Sequence, residues 1–274
     1  MNHDQFRKAE IFAALHVGPE CFVIPNPWDI GSARILAGMG FKALATTSAG
    51  YAFSRGRLDS AIGREEMLAH AAEIAAATPL PVSADLENGY GDTPEDAGET
   101  IRLAAAAGLV GASIEDFSGG GDGRVYDFNL AVDRIEAAVA AAREQEFPFA
   151  LTARAENFIR GRPDLDDTIK RLVAFEAAGA DVLYAPGLPN LDAIRAVCQT
   201  VGKPVNVVMG IAGRGMTTAQ LADAGVRRIS LGSALARAAL GTLMAAAEEI
   251  QAGGYTFTES AASFGDIAAH MRSG

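Results

Sequence analysis

Four times along this chain a glycine closes a helix-like stretch and a short apolar run follows almost at once. Gly38-Met39-Gly40 precedes Phe41 to Thr47, Ala107-Gly108 precedes Val110 to Ile114, Ala178-Gly179 precedes Asp181 to Tyr184, and Ala224-Gly225 precedes Val226 to Leu231. Glycine ends helices because it enters left-handed backbone without a Cβ clash. The runs that follow have the length and apolar character of buried strands. With Pro81 to Asp85, Phe149 to Arg154, Pro204 to Val208 and the opening Cys21-Phe22-Val23-Ile24, eight strands are predicted near 22–25, 41–47, 81–85, 111–115, 149–154, 181–185, 204–208 and 228–231. Helical stretches alternate with them. The class is therefore α/β, and the pattern predicts a (β/α)8 TIM-type barrel. The alternative, a doubly wound open sheet, lacks a GxGxxG after its first strand.

Elements at the two ends extend this plan. Phe6 to Leu15 reads as a short amphipathic helix able to cap the barrel bottom, and Asp29 as the cap of a helix through Ala37. After the eighth strand, Ser233 to Gln251 is an alanine-rich helix broken by Gly253-Gly254, and Thr256 to Met271 reads as a further short helix. Residues 233–274 thus form a C-terminal helical arm expected to pack on a second subunit. No linker divides the chain, so 1–274 reads as one domain; 274 residues at 49% hydrophobic suffice for one large core. A net charge of -11 without a run of Lys or Arg argues against nucleic acid and anionic membrane as partners. Two cysteines, Cys21 and Cys198, in no metal-binding spacing fit a reducing compartment, and a cytoplasmic protein is expected.

In a barrel of this kind, chemistry sits on the loops after the strands. Strand two ends in Thr46-Thr47-Ser48-Ala49-Gly50, small residues with hydroxyls and accessible amides that suit a carboxylate or simply form a turn. Strand three ends in Asp85-Leu86-Glu87-Asn88-Gly89-Tyr90-Gly91, strand four in Glu115-Asp116, strand five in Arg154 with Glu156 and Asn157, and strand seven carries Asn206. Asp85 and Glu87, two apart in extended chain, can face one pocket. Taken singly, they also suit a solvated or capped turn. Clustered carboxylates repel unless a cation or an arginine compensates, and Mg²⁺ (or Mn²⁺) with one direct carboxylate and water-bridged neighbours would suffice for the acids of strands three and four. Arg154 then either clamps a substrate carboxylate in bidentate fashion or pairs with Glu156 or Glu115.

These motifs together, Asp85 to Gly91 with Ser113-Ile114-Glu115-Asp116, Thr152-Ala153-Arg154 and the opening Pro25-Asn26-Pro27-Trp28-Asp29, resemble the isocitrate lyase/phosphoenolpyruvate mutase superfamily over nearly the whole chain. That resemblance implies a (β/α)8 barrel, a dimer or tetramer exchanging its eighth helix, and Mg²⁺-dependent making or breaking of C–C or C–P bonds in 2-hydroxy or 2-oxo carboxylates. It implies Thr47, Ser48 and Ala49 as carboxylate binders, Asp85 as main metal ligand with Glu87 and Glu115 behind it, Arg154 on the substrate's oxygens and Asn206 at the far side of the pocket. Asp59 matches a gate-region aspartate near the metal, although the residue also suits a helix cap.

The chain departs from the family pattern on the loop after Ile114-Glu115-Asp116. Where carbon–carbon lyases carry Lys-x-Cys-Gly-His, this chain has Phe117-Ser118-Gly119-Gly120-Gly121-Asp122-Gly123-Arg124-Val125-Tyr126-Asp127, without the Lys and Asn of mutase and hydrolase members. The glycines predict a lid that brings Asp122, Arg124 or Tyr126 over the substrate, leaving Tyr126 and Asp59 as candidate proton carriers. A glutamate of methylisocitrate lyases after the sixth strand is replaced by Tyr184-Ala185-Pro186-Gly187. The expected activity is 2-methylisocitrate lyase-like C–C cleavage through a metal-stabilised enolate. An oxaloacetate-type hydrolase or decarboxylase, a phosphonomutase-like enzyme and a non-catalytic 2-oxo dicarboxylate-binding protein are the alternatives.

Overall fold

The computed structural model describes residues 3–119, 123–211 and 215–272. In chain order the elements are α1 (His3–Val17), β1 (Phe22–Ile24), α2 (Ile30–Gly38), β2 (Leu44–Ala45), α3 (Ser48–Ser54), α4 (Arg64–Ala76), β3 (Val82–Asp85), α5 (Pro94–Ala106), β4 (Gly111–Glu115) and α6 (Phe128–Arg143). They continue with β5 (Ala150–Arg154), α7 (Leu165–Ala177), β6 (Val182–Tyr184), α8 (Leu191–Thr200), β7 (Val205–Val208), α9 (Thr218–Asp223), β8 (Arg228–Ser230), α10 (Ala234–Gln251) and α11 (Phe264–Met271). The eight strands are parallel, in the order β1-β8-β7-β6-β5-β4-β3-β2. The seam between β1 and β2 closes through loops: Ala45 N donates to Pro25 O at 3.1 Å. Asn26 draws the three strand ends there together. Its Nδ2 donates to Thr46 O, and its Oδ1 accepts from the amides of Leu231 and Gly232. This is the (β/α)8 barrel expected from the glycine-punctuated repeat.

The helix at the N-terminus does close the bottom. Ala9 and Phe12 are fully buried and pack with Phe22, Ile24, Ala43, Val110 and Ala150. Their close approach explains Gly111 at the start of β4: a Cβ there would stand 2.9 Å from the Phe12 ring and 2.7 Å from Ala150 O. Capping at Asp29 and Thr93 also forms as expected, each within a reciprocal box with the residue three positions on.

Three expectations change. Strand two shortens to Leu44–Ala45, and the small residues after it form the helix α3, capped by Thr47, rather than a loop. The C-terminal stretch is a 3-10 turn over Thr256–Glu259 followed by α11, not one helix. α11 returns to α2, where Arg34 Nη1 donates to Met271 O at 3.2 Å. Of the α10 residues only Ala236 is buried. No helix among the described residues is long and apolar enough to cross a membrane.

Candidate active site

The carboxyl ends of the strands surround a cavity of about 390 Å³. Thr47, Ser48, Ala49, Asp59, Asp85, Glu87, Glu115 and Arg154 line it together, so the expected residues of strands two to five converge on one mouth. Register accounts for the convergence: Glu115 lies opposite Arg154, and Arg154 opposite Tyr184, at the last positions of β4, β5 and β6.

Asp85 is fixed from several sides. Its amide donates to Thr46 Oγ1 at 3.0 Å, while Ser48, in the first turn of α3, donates to Oδ2 from Oγ at 2.9 Å and from N at 3.3 Å. The other oxygen, Oδ1, accepts from Arg154 Nη1 at 2.8 Å. Ser48 Oγ also lies 3.3 Å from Asp59 Oδ1. One small hydroxyl therefore stands between two carboxylates.

Beyond Asp85 the backbone turns sharply. Gly89 has φ +82°, and a Cβ there would meet Ala97 Cα at 3.1 Å. Glu87 and Tyr90 are also left-handed, at φ +49° and +61°, a conformation uncommon for non-glycine residues. The turn leaves Glu87 only 8% exposed, with Oε1 buried and without a hydrogen-bond partner among the described residues. Burial first, then the charges of Asp85 and Asp59, push the Glu87 carboxyl up to about 8. Burial and the Asp85 charge also raise Asp59.

Arg154 is committed to acids. Its Nε and Nη2 both donate to Glu156 Oε1, at 3.1 and 2.8 Å, and Nη2 lies 2.9 Å from Glu115 Oε2. The pairing reading of this residue therefore holds for Glu156 and Glu115, with Asp85 added. Its Nε–Nη2 edge faces Glu156. Among the described residues, Nη1 makes one hydrogen bond and has a second N–H to offer. Burial works against the guanidinium's charge, but Glu115, Glu156 and Asp85 outweigh it and hold its proton affinity well above the ordinary value. Arg160 supports the same acids, with Nε 3.3 Å from Glu156 Oε2 and Nη2 3.6 Å from Glu115 Oε1, and its guanidinium lies over the Phe117 ring at 3.7 Å.

Two candidates lie elsewhere. Tyr126 is 1% exposed and is absent from the cavity lining; its hydroxyl donates to Asp92 Oδ1 at 2.5 Å and accepts from Asn88 Nδ2 at 3.0 Å. Asn206 lines an adjoining space of about 60 Å³ that shares Asp85, Arg154 and Tyr184 with the cavity, where it donates to Ser230 Oγ and accepts from Arg228 Nε. Arg124 is likewise outside the cavity lining, while Asp122 lies outside the described residues. The cavity has further lining residues that sequence reasoning did not single out: Arg160, Tyr184, Ser233 and Arg237. Tyr184 ends β6 and obeys the strand-end rule that found Asp85, and Arg160 stands one helical turn after Glu156.

The donor set fits a hard divalent cation. The partnerless Oε1 of Glu87 and the raised carboxyls of Glu87 and Asp59 mark a place where ionised carboxylates are disfavoured and where a bound cation would favour them. Among the described residues no three acid, histidine or cysteine side chains are arranged to enclose a metal ion directly.

A family model described as phosphoenolpyruvate phosphomutase matches residues 12–251. Among solved structures, a candidate lyase/mutase from Burkholderia cenocepacia J2315 is 58% identical, with TM-score 0.95, covering 97% of this chain and 96% of that one. A candidate phosphonomutase from the same organism is 38% identical, with TM-score 0.82 over 91% and 100% of the two chains. An oxaloacetate acetylhydrolase in complex with the inhibitor 3,3-difluorooxalacetate is 25% identical, with TM-score 0.86 over 97% and 93%. Lyases, mutases and a hydrolase are among these likenesses, and an enzyme is what they support. The chain belongs to the phosphoenolpyruvate phosphomutase family, and with it to the isocitrate lyase/phosphoenolpyruvate mutase superfamily.

Proposed function

We propose that this protein is a metal-dependent lyase-type enzyme that breaks a carbon–carbon bond in a small 2-hydroxy or 2-oxo carboxylate through an enolate, as a 2-methylisocitrate lyase does. The observation that carries the reading is the cavity floor: Asp85 held by Ser48 on one oxygen and Arg154 on the other, beside the partnerless Oε1 of Glu87. A divalent metal is typical of the superfamily. Asp85 would hold Mg²⁺ (or Mn²⁺) here, with Glu87 and Glu115 reaching it through water. Such an ion, when bound, supplies Lewis-acid stabilisation of the negative charge that builds on the 2-oxygen.

The chain's own residues do the rest. Thr47 and Ala49 offer a hydroxyl and amides to the substrate's carboxylate, beside Ser48, whose own donors face Asp85 and would turn to the substrate when it binds. Arg154 offers its spare Nη1 N–H as a charge-assisted donor to the oxygen that becomes negative. Asp59 holds or moves a proton at its carboxyl. The C-terminal arm, residues 233–274, completes a homo-oligomer by exchange between subunits.

Incubation with 2-methylisocitrate and with oxaloacetate, each with Mg²⁺, tests the reading. Pyruvate and succinate from the first support it. The likeness to the acetylhydrolase favours a second reading; oxalate with acetate, or pyruvate from oxaloacetate alone, would select hydrolysis or decarboxylation instead. Binding of 2-oxo acids with no turnover across a carboxylate panel would overturn catalysis altogether.

A further inference from the structure

The adjoining space of about 60 Å³ runs from Asp85, Arg154 and Tyr184 at their strand ends to Arg228 at the first position of β8. Arg228 is 5% exposed, and three side chains hold its guanidinium. Nε donates to Asn206 Oδ1 at 2.9 Å, Nη2 to Thr152 Oγ1 at 2.9 Å and Nη1 to His16 Nε2 at 3.2 Å. His16 Nδ1 lies 2.8 Å from Phe12 O, so the ring proton sits there and Nε2 accepts. Burial, then the charge of Arg228, pushes His16 down to about 3, which keeps the ring neutral.

All three partners of this cation are therefore uncharged, and among the described residues no carboxylate lies within ion-pair distance of it. Arg171, as deeply buried, meets Asp116 at 2.9 Å. Burial lowers Arg228 to about 10, with Tyr184 acting the other way, so the guanidinium is still charged at neutral pH. A charge taken out of water is costly unless an opposite charge accompanies it.

The space beside Arg228 suits such a charge. Thr46, Ser83, Ser113 and Ser230 bring hydroxyls to its lining. Three of the five guanidinium N–H groups have protein partners, which leaves one on each Nη. Of the lining residues only Asp85 is acidic, and its two oxygens are engaged by Arg154 and Ser48. The volume exceeds the roughly 10–15 Å³ that one water needs, enough for a monatomic anion.

Independently of the proposed function, we infer that the barrel interior binds a small monovalent anion of halide size against Arg228, among the hydroxyls that line this space. The anion supplies the counter-charge that the chain itself does not.

Diffraction at the bromine absorption edge, from crystals of the full chain in sodium bromide, tests this. An anomalous peak in contact with Arg228 Nη1 or Nη2 is expected. In solution, moving from sodium gluconate, whose anion is too large to enter, to sodium bromide at equal ionic strength should raise the Tm of wild type relative to Arg228→Gln by about 2–4 °C, the effect of a site filled at several times its Kd. Where that variant fails to fold, Ser113→Val, which fills the space and leaves the three partners of Arg228 in place, serves as the reference instead. Bromide found at the surface alone is an adventitious ion only and overturns the inference, as does water alone beside Arg228. A peak with an equal Tm response in wild type and variant is binding at crystal concentration only, and it overturns the inference too. A Tm difference without the peak does the same. None of these outcomes touches the proposed metal or substrate.

Discussion

Arg154 Nη1 lies 2.8 Å from Asp85 Oδ1, so the cation and the anion expected to work on a substrate hold each other first. Both are largely buried, at 12% and 22% side-chain exposure, and Arg154 simultaneously neutralises Glu115 and Glu156. Removing the guanidinium leaves buried carboxylates uncompensated. Arg154→Met is therefore expected to cost about 3–5 kcal/mol of stability. Arg154→Lys keeps a charge but cannot reach three acids with one ammonium, and is expected to cost about 1–3 kcal/mol. Urea denaturation checks both; a lysine variant as stable as wild type would mean that the fork to Glu156 contributes nothing.

Asp85→Asn keeps the shape of the residue and an oxygen for Ser48 while removing the charge. If Asp85 holds the metal, this substitution should reduce the Mg²⁺ dependence of oxalate binding at least about tenfold, the effect of one lost charge-assisted interaction. Chelation of wild type with EDTA should lower oxalate affinity in the same direction. Calorimetric titrations of oxalate with and without Mg²⁺ give the answer. Undiminished Mg²⁺ dependence in the variant would move the ion elsewhere.

His70 predicts an acid sensitivity. It is 4% exposed, its ring stacks on Tyr51 with centroids 3.7 Å apart, and Nε2 is buried without a partner among the described residues. Burial lowers it from 6.5 to about 4. The unfolded chain therefore takes up a proton that the folded chain refuses as pH falls from about 6.5 to about 4, and folding loses stability through that window. His70→Phe keeps the stack and removes the titration. Between pH 7 and 4.5 the variant is expected to lose about 2 kcal/mol less than wild type in urea denaturation. Contributions from Asp59 and Glu87 run the other way but are common to both proteins. Equal losses would show that the ring is solvated.

The parts of this molecule legible in its sequence are those with local causes. Glycine stops and short apolar runs located all eight strands, and the strand-end rule brought Asp85, Glu115 and Arg154 to one mouth. Features decided by long-range contacts were not legible. α3 forms from Ser48-Ala49-Gly50-Tyr51-Ala52-Phe53-Ser54, a poor helix sequence stabilised by Thr47 as its cap. Glu87 and Tyr90 take left-handed backbone in a turn where glycine would be expected. Tyr126 follows a glycine-rich loop that suggested motion toward the cavity, yet Asp92 and Asn88 hold its hydroxyl. Arg237 reaches the cavity from the helix after β8, where Ser233 Oγ and the Gly210 carbonyl hold it.

The arm gives the last prediction. α10 runs for 18 residues with one of them buried, and exposes Leu243 at 63% and Met244 at 64%; farther along, Phe264 is 97% exposed. Side chains of this size standing in water together mark a surface that another protein surface covers. Exchange of the arm between subunits would cover them with a second copy of the chain. The mass in solution is then expected to be that of a dimer or tetramer. Leu243→Glu together with Met244→Glu should shift it toward the monomer, because two charges would be buried unpaired at the contact. Light scattering coupled to size exclusion measures this directly, and a wild-type monomer at micromolar concentration would rule the exchange out.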